Sequence, residues 1–388
     1  MAEVTNFEHN GVTVNTSEPP EAMGGLGDNV IGLVGTAPNK ALGVPLNSPF
    51  RINSLTLAGL LDPTAAEEGT LYQVVHQILK VVKVPIYVVV VEEGATDADT
   101  MNNVIGGIDA ESGQKLGLQA LTTCPEVPTI IAAPGFSSEQ AVHSELASLG
   151  KRIRARVVLD GKDVPVSGQV ENSQAIGGAE LGYDRCYLVH QMPAVYSKAA
   201  KANVFLPPSS LAIAALAAVK QWESPGNQVT YAADVSRTVE YNIIDPSTEG
   251  DLLNRYGVSY YARTELGGFS LIGNRSITGK FISYVGLEDA ITRKLVKAAQ
   301  KVMAKNLTKS FMEQEVKRID DWIQTLVADE TIPGGKVYLH PELNSVEKYK
   351  NGTWYLVIDY GRYAPNEHMV YQLNASDQII EEFLEDVL

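Results

Sequence analysis

The residues that could support catalysis are scattered along this chain rather than grouped. The six histidines include no pair at i, i+4 and no HExxH sequence, the spacings that bring two imidazoles onto one metal ion. Glu92 and Glu93 follow a strand-like run, but adjacent residues of an extended chain point to opposite sides, which favours a solvated loop over a carboxylate pair. No Gly-x-Ser-x-Gly sequence marks a hydrolase nucleophile. We therefore predict no enzyme and no metal site, although a Ser-His-Asp arrangement assembled from distant positions stays open.

Glycine-rich segments could bind phosphate, but their order along the chain is unsuitable. Gly24-Gly25-Leu26-Gly27 comes before the strand-like run Val30–Val34, whereas a dinucleotide fingerprint follows its strand and opens a helix. Each Gly-Lys pair lacks the Ser or Thr that a P-loop needs next. The formal net charge of −15 argues against nucleic acid as a partner, because neutralising phosphates requires positive surface. We predict no cofactor and no nucleic-acid partner.

One charged segment stands out. Between Ile291 and Lys309 there are six Lys or Arg residues and no acidic residue, so the rest of the chain carries −15 − 6 = −21. Apolar residues recur there every three or four positions, which predicts an amphipathic helix with cations along one side. Segregated positive charge repels itself unless a negative surface lies against it, so the segment is either a solvated helix face or a docking surface for an acidic partner. The cations spaced four residues apart are Arg293, Lys297, Lys301 and Lys305.

A second amphipathic helix follows, with Ser310 and Glu313 at the spacing of a capping box and apolar positions continuing to Leu326. Pro333-Gly334-Gly335 is expected to stop it. Helices followed by short strands predict a compact α+β unit in this part of the chain. The strand-like runs after the second helix are Lys336–His340, Thr353–Tyr360 and Met369–Leu373.

The preceding region, from Val30 to about Ala262, alternates strand-like and helix-like segments. Near-continuous apolar strands such as Tyr87–Val91 predict a sheet covered on both faces, as in an α/β domain. The strand candidates are Val30–Val34, Ile86–Val91, Thr129–Ala133, Arg156–Leu159, Cys186–His190 and Ser259–Ala262. The helix candidates are Leu71–Val82, Ser138–Arg152 and Ser209–Trp222.

Both ends of the chain are predicted to form extended arms. Gly11–Asn15 alternates apolar and polar residues like a half-buried strand and precedes a segment rich in Gly and Pro. A lone strand cannot fold by itself, so it must pair with a sheet edge of its own chain or of a neighbour. At the other end, Ile379, Phe383 and Val387 have helical spacing, yet an extended tail is favoured, because tertiary pairing overrides propensity most easily at chain ends.

Composition adds two expectations. The two cysteines, Cys124 and Cys186, form no CxxC motif, which predicts neither zinc nor a disulfide scaffold and fits synthesis in a reducing cytoplasm. The polar N-terminus does not resemble a signal peptide, and the best apolar run, Leu211–Val219, is too short to span a membrane. We therefore expect no membrane insertion.

Several segments, in this order and spacing over nearly the whole chain, resemble contractile tail sheath proteins of phages and tail-like bacteriocins. The short chain resembles their compact subclass. Two positions depart from the family pattern, since Ile272 stands where an aromatic residue is frequent and Thr238 where proline is frequent. The segments that carry the resemblance are Gly11–Val14, Val30–Pro38, Thr129–Gly135, Ser236–Tyr241 and Gly273–Ser276.

The resemblance implies an α/β plus α+β fold with extended terminal arms. It implies an N-terminal linker arm (1–27), an outer α/β domain (28–262), an inner tube-facing α+β domain (263–374) and a C-terminal linker arm (375–388). The arms would add strands to sheets of neighbouring subunits, giving a helical homopolymer around the tail tube protein, with baseplate and tail terminator proteins at its ends. The residues assigned to strand exchange are Val12, Val14, Val370, Leu373, Phe383 and Leu384. The basic helix of Arg293, Lys297, Lys301 and Lys305 would face the tube.

The implied function is a structural subunit of a contractile sheath, which contracts to drive the tube through the host cell envelope. Its location would be the virion tail, after assembly in the host cytoplasm. Two alternatives remain open from the sequence. A cytoplasmic α/β enzyme would bind a nucleotide or small substrate as a monomer, and a non-contractile scaffold or adaptor would form closed oligomers instead of tubes.

Overall fold

The computed structural model describes residues 23–387, so the predicted arm residues Val12 and Val14 lie outside the described part. Helices and strands are numbered along the chain. The helices are α1 Leu55–Ala58, α2 Leu71–Val81, α3 Asp97–Ile105, α4 Gln140–Ile153, α5 Val166–Ala175, α6 Ser209–Ala218, α7 Glu249–Arg255, α8 Ile282–Gln300, α9 Lys309–Ala328, α10 Val346–Lys350 and α11 Asp377–Val387. The strands are β1 Ile31–Thr36, β2 Phe50–Ile52, β3 Ile86–Val91, β4 Gly107–Ile108, β5 Lys115–Leu116, β6 Ile130–Ala132, β7 Arg156–Asp160, β8 Cys186–Val189, β9 Pro193–Ser197, β10 Ala202–Phe205, β11 Gln228–Thr230, β12 Asp234–Val235, β13 Val258–Arg263, β14 Phe269–Ile272, β15 Gly335–Leu339 and β16 Leu356–Tyr360.

The described chain divides into two compact units. The larger unit contains residues 28–290 and 364–387, and the smaller contains residues 23–27 and 291–363. The division therefore falls inside α8, and not after Ala262 as the sequence suggested. The reason is a hairpin, in which Gly267 and Gly268 adopt positive φ angles of 91° and 85° and return the chain so that β14 pairs with β13 in the same sheet.

A nine-stranded mixed sheet forms the centre of the larger unit, in the order β11-β14-β13-β8-β7-β6-β1-β3-β2. The strands from β13 through β3 run parallel, while β2 at one edge and β14 and β11 at the other are antiparallel to their neighbours. In β3, Ile86, Val88 and Val90 pack in one core and the alternate residues pack in a second core on the opposite face. Helices α2 and α6 contribute to the first core, and α4 contributes to the second. The predicted α/β sheet with two covered faces is confirmed.

In the smaller unit, α9 packs on the antiparallel pair β15–β16, whose register joins Gly335 to Tyr360 and Leu339 to Leu356. The buried face of α9 includes Ile319, Ile323 and Leu326, as its helical spacing predicted. Its N-cap is Thr308 and not Ser310, because the Thr308 side chain accepts a hydrogen bond from the Phe311 backbone N–H at 3.2 Å.

The C-terminal segment differs from the expected extended strand. Residues 364–376 contain no helix or strand, so the predicted strand Met369–Leu373 is not formed within the described chain. Residues Asp377–Val387 then form α11, which means that the local helical spacing prevails over the extended tail that we favoured. All residues of α11 are exposed, so nothing within the described chain imposes an extended pairing on them.

Candidate assembly surfaces

The basic segment 291–309 includes the end of a helix. Helix α8 begins at Ile282, nine residues before the predicted start, and ends at Gln300. Beyond it, the Lys301 N–H bonds to the Ala298 carbonyl at 3.2 Å, and Ala304 adopts a positive φ of 67°. Only Arg293 and Lys297 of the predicted row therefore lie on the helix, while Lys301 and Lys305 follow in the turn and loop. The prediction of a single helical row of four cations is therefore wrong.

The positive charges nevertheless remain close enough to affect one another. Lys297, Lys301 and Lys305 are exposed, and Arg293 is half-buried. Burial lowers the pKa of Lys294, and the charges of Lys297 and Lys301 lower it further. This is the repulsion expected of segregated like charges, and it can be relieved by an anionic surface.

The β15–β16 pair presents two outer edges that differ in their hydrogen bonding. The His340 N–H bonds to the Tyr355 carbonyl at 3.0 Å, which makes these two residues a hydrogen-bonded pair. Such pairs alternate along antiparallel strands with pairs that are not hydrogen-bonded to each other, so the backbone groups of Val337 and Ile358 point to the outer edges. On the β15 edge, the Val337 N–H donates to Asp320 Oδ1 of α9 at 3.1 Å.

No such side-chain partner is found within residues 23–387 for the backbone N–H groups of Leu356 and Ile358. The β16 edge is therefore the one prepared to accept an additional strand.

The C-terminal segment exposes apolar side chains to an unusual degree. Val370 and Leu373 are 79% and 94% exposed, and Phe383 and Leu384 on α11 are also exposed. Exposed apolar side chains in such number on one segment are typical of an interaction site. The structure thus leaves all four predicted arm residues of this end uncovered, and the strand exchange assigned to them stays a prediction.

A buried ion cluster holds the first half of α8 in the larger unit. Arg185 donates to both carboxylate oxygens of Asp289, with Nε–Oδ2 and Nη2–Oδ1 distances of 3.0 and 2.8 Å. Its Nη1 contacts Asp184 at 2.9 Å, and Lys280 contacts Glu288 at 2.9 Å. Burial alone would lower the pKa of Arg185, but the neighbouring carboxylates outweigh that effect and raise it. Sequence reasoning missed this cluster, because Arg185 and Asp289 lie 104 residues apart with no local motif.

The larger unit also buries an acidic side chain and both cysteines of the chain. The fully buried Asp160 carboxylate accepts hydrogen bonds from the Ser209 and Gly135 N–H groups and from Ser137 Oγ, at 2.7–2.9 Å. Burial raises its pKa. Cys124 and Cys186 are free and buried, and burial raises the pKa of Cys124 to about 12.

The described residues contain neither a cluster of possible metal ligands nor a helix that could span a membrane. Within residues 23–387, no group of three or more His, Cys, Asp or Glu side chains converges as metal ligands would. In the same range, every helix is too short or too polar to traverse a bilayer.

Comparison with known proteins gives consistent results from sequence and structure. No protein-family model matches the chain. The sequence is 25% identical over 330 residues to a prophage major tail sheath protein of Pseudomonas aeruginosa strain UCBPP-PA14, covering 82% of this chain and 83% of the relative. It is 22% identical over 300 residues to the tail sheath protein of Burkholderia phage BcepMu, covering 72% of this chain and 63% of the relative.

Solved structures share the fold over nearly the whole chain. The PVC sheath complex of an extracellular contractile injection system, in its contracted state, matches with a TM-score of 0.69 and 15% identity, covering 97% of this chain and 99% of that one. The helical sheath of the anti-feeding prophage, also contracted, matches with a TM-score of 0.67 and 16% identity, covering 95% and 99%.

Proposed function

We infer that this chain is a tail sheath protein, a structural subunit of a contractile tail sheath. The observation that carries this conclusion is the similarity to tail sheath proteins over 82% of the chain, together with a sheath fold shared over 95–97% of it. The resemblance predicted from the sequence is thereby confirmed, and the alternative of a cytoplasmic enzyme is not supported.

We propose that subunits polymerise helically around a tail tube and contract to drive the tube through the host cell envelope. A head-to-tail contact that does not close on itself generates a helix, which is the architecture that a sheath requires. The extended sheath would be metastable, with its energy stored as unmade contacts behind a kinetic barrier. Baseplate and tail terminator proteins would contact its ends in the virion tail, after assembly in the host cytoplasm.

The connection between subunits would be strand addition. The N-terminal strand of Val12 and Val14 and the C-terminal strand of Val370 and Leu373 would extend the β15–β16 sheets of neighbours. Support comes from the outward-facing backbone of Leu356 and Ile358 on β16 and from the exposed apolar side chains at residues 369–373. Phe383 and Leu384 would anchor the end of the arm through the apolar face of α11.

The tube would be contacted by the smaller unit. We propose that Arg293, Lys297, Lys301 and Lys305 hold the extended sheath on an acidic tube surface, through weak contacts that salt screens and contraction releases. The larger α/β unit would then face outward. The competing interpretation is that the basic segment is only a solvated surface.

The strand-addition proposal is tested at Ile358 of β16. An Ile358→Pro substitution removes the N–H that points away from β15, so the pair should survive while an incoming strand loses a hydrogen bond. Ile358→Val is the matched control, because it keeps the N–H and a β-branched side chain. We expect the proline variant to remain a folded monomer that forms no tubes in negative-stain images, and the valine variant to assemble.

A deletion addresses the other arm. Removing Met1–Asn15 should leave a folded monomer that does not polymerise, whereas removing Met1–Asn10 keeps the predicted strand Gly11–Asn15 as a control. Normal tubes from the longer deletion would contradict strand exchange by this arm. Closed oligomers of the intact protein would instead support a non-contractile scaffold.

A further inference from the structure

Arg275 lies in a tight turn immediately before α8. It pairs with Phe281 in an antiparallel bridge. The turn is closed by hydrogen bonds of 2.8 Å from the Ser276 N–H to the Lys280 carbonyl and from the Gly279 N–H to the Ser276 carbonyl. Gly279 has a φ of 83°, which a residue with a side chain rarely adopts. The position of Arg275 is therefore set by a rigid local structure.

The guanidinium of Arg275 is held from three directions. Its Cζ lies 4.0 Å from the centroid of the Phe281 ring, and its Nη1 donates to the Gly279 carbonyl at 2.8 Å. Its Nη2 donates to Glu367 Oε2 at 2.7 Å. Because two of these contacts come from its own turn, the side chain is oriented before it meets the glutamate.

Glu367 belongs to the segment from which the C-terminal arm departs. Residues 366–368 line a crevice of about 380 Å³ in the larger unit, together with the loop Tyr241–Pro246. In the described chain, the other side-chain hydrogen bonds of residues 364–376 stay within that segment, between Tyr371 and Met369 and between Gln372 and Asn374. Among residues 23–387, the side-chain hydrogen bond that joins residues 364–376 to the rest of the larger unit is therefore the one between Glu367 and Arg275.

We propose that Arg275 anchors the C-terminal segment (residues 364–387) through Glu367 and thereby sets the direction in which the C-terminal arm leaves its subunit. This inference rests on the proposed sheath function. Leu373 is six residues past the anchor, which limits its reach to about 20 Å when fully extended. A fixed point of departure raises the effective concentration of the donated strand at one neighbour, because less freedom is lost on pairing.

The first experiment compares assembly of charge variants. Arg275→Glu and Glu367→Arg each replace the attraction by repulsion, and the double variant restores the pair in reverse. The matched control is Arg51→Glu, which breaks a similarly exposed ion pair with Glu126 outside the arm. We expect each single variant to raise the concentration at which tubes form about fivefold or more, measured by sedimentation. The double variant should return to within about twofold of wild type, and the control should match wild type.

The second experiment measures the arm in the monomer. Spin labels are placed through Gln372→Cys and Val229→Cys, while the native cysteines are buried and do not react. The label-to-label distance distribution should be narrow in the parent protein and broad after Arg275→Glu, with the double variant narrow again.

The two readouts separate the anchor from the sheath function itself. Single variants with unchanged distances and unchanged assembly would overturn the anchor and leave the sheath function intact. An assembly defect without broader distances would also overturn it. If the parent protein forms no tubes while Arg275→Glu still broadens the distances, the sheath function fails and the anchor stands.

Discussion

Removing the charge of Asp289 should destabilise the larger unit strongly. Asp289 and Arg185 are 1% and 4% exposed, and they share two hydrogen bonds of 2.8 and 3.0 Å. An Asp289→Asn variant keeps the shape of the side chain but leaves the buried guanidinium with less compensating charge. Breaking a buried pair typically costs about 3–5 kcal/mol, and Asp184 still contacts Arg185, so we expect about 3 kcal/mol.

Differential scanning calorimetry of the full-length monomer measures this loss. For a unit of this size, about 1 kcal/mol corresponds to roughly 2–4 °C, so the transition of the larger unit should fall by roughly 6–12 °C. The matched control is Asp163→Asn, which breaks the exposed pair with Arg237 and should shift the transition by less than about 3 °C.

A further variant distinguishes the pair from the packing around it. Replacing both partners, as Arg185→Met with Asp289→Leu, should recover part of the loss, because neither charge of the pair is then buried without the other. Recovery is incomplete because Asp184 loses its contact with Arg185 and keeps Lys280 at 3.9 Å. If Asp289→Asn melts within about 2 °C of wild type, the cluster does not hold the first half of α8 and the reasoning is refuted.

The remaining predictions concern pH and charge. Burial, and to a smaller degree the positive charge of Arg237, lower the pKa of His190 from its usual 6.5 to about 4, so the folded state resists protonation. Stability should therefore be complete above pH 6.5 and fall by up to about 3 kcal/mol as pH drops toward 4, measured by urea unfolding, with His190→Leu removing that part of the pH dependence. Reversing Lys297 and Lys305 to Glu should weaken assembly on the tube and spare tube-free contracted polymer, whereas Lys317→Glu on α9 should affect neither. Equal loss of both forms would contradict a tube-facing role.

The sequence predicted the parallel sheet well because burial on both faces leaves a strong local signal. The run at Ile86–Val91 is apolar without interruption, and the structure has a strand with the same bounds. Turns and helix ends were less predictable. To predict the hairpin at Gly267 and Gly268, which adds β14 to the large sheet, one would need to know that β14 pairs with β13. The end of α8 at Gln300 has no proline or glycine to mark it.

The polar contacts of the larger unit were not accessible from the sequence at all. Arg185 and Asp289 lie 104 residues apart, and Arg275 and Glu367 lie 92 apart. Neither pair has a spacing that local helix or strand geometry would bring together. Such contacts become visible only when the topology is known, whereas the basic segment could be found because its residues are neighbours in the chain.

One stretch of chain, from Asn274 to Lys309, contains the anchor of the C-terminal arm, the buried acid of the ion cluster and the basic segment. It begins with the turn of Arg275, continues into α8 with Asp289, and ends with the basic segment. Residues Ile282–Ala290 of α8 lie in the larger unit together with the turn of Arg275, and the Ile282 N–H donates to the Asn274 carbonyl at 2.9 Å. Loosening the Asp289 cluster should therefore loosen this part of α8 and, with it, the adjoining turn whose Arg275 holds Glu367.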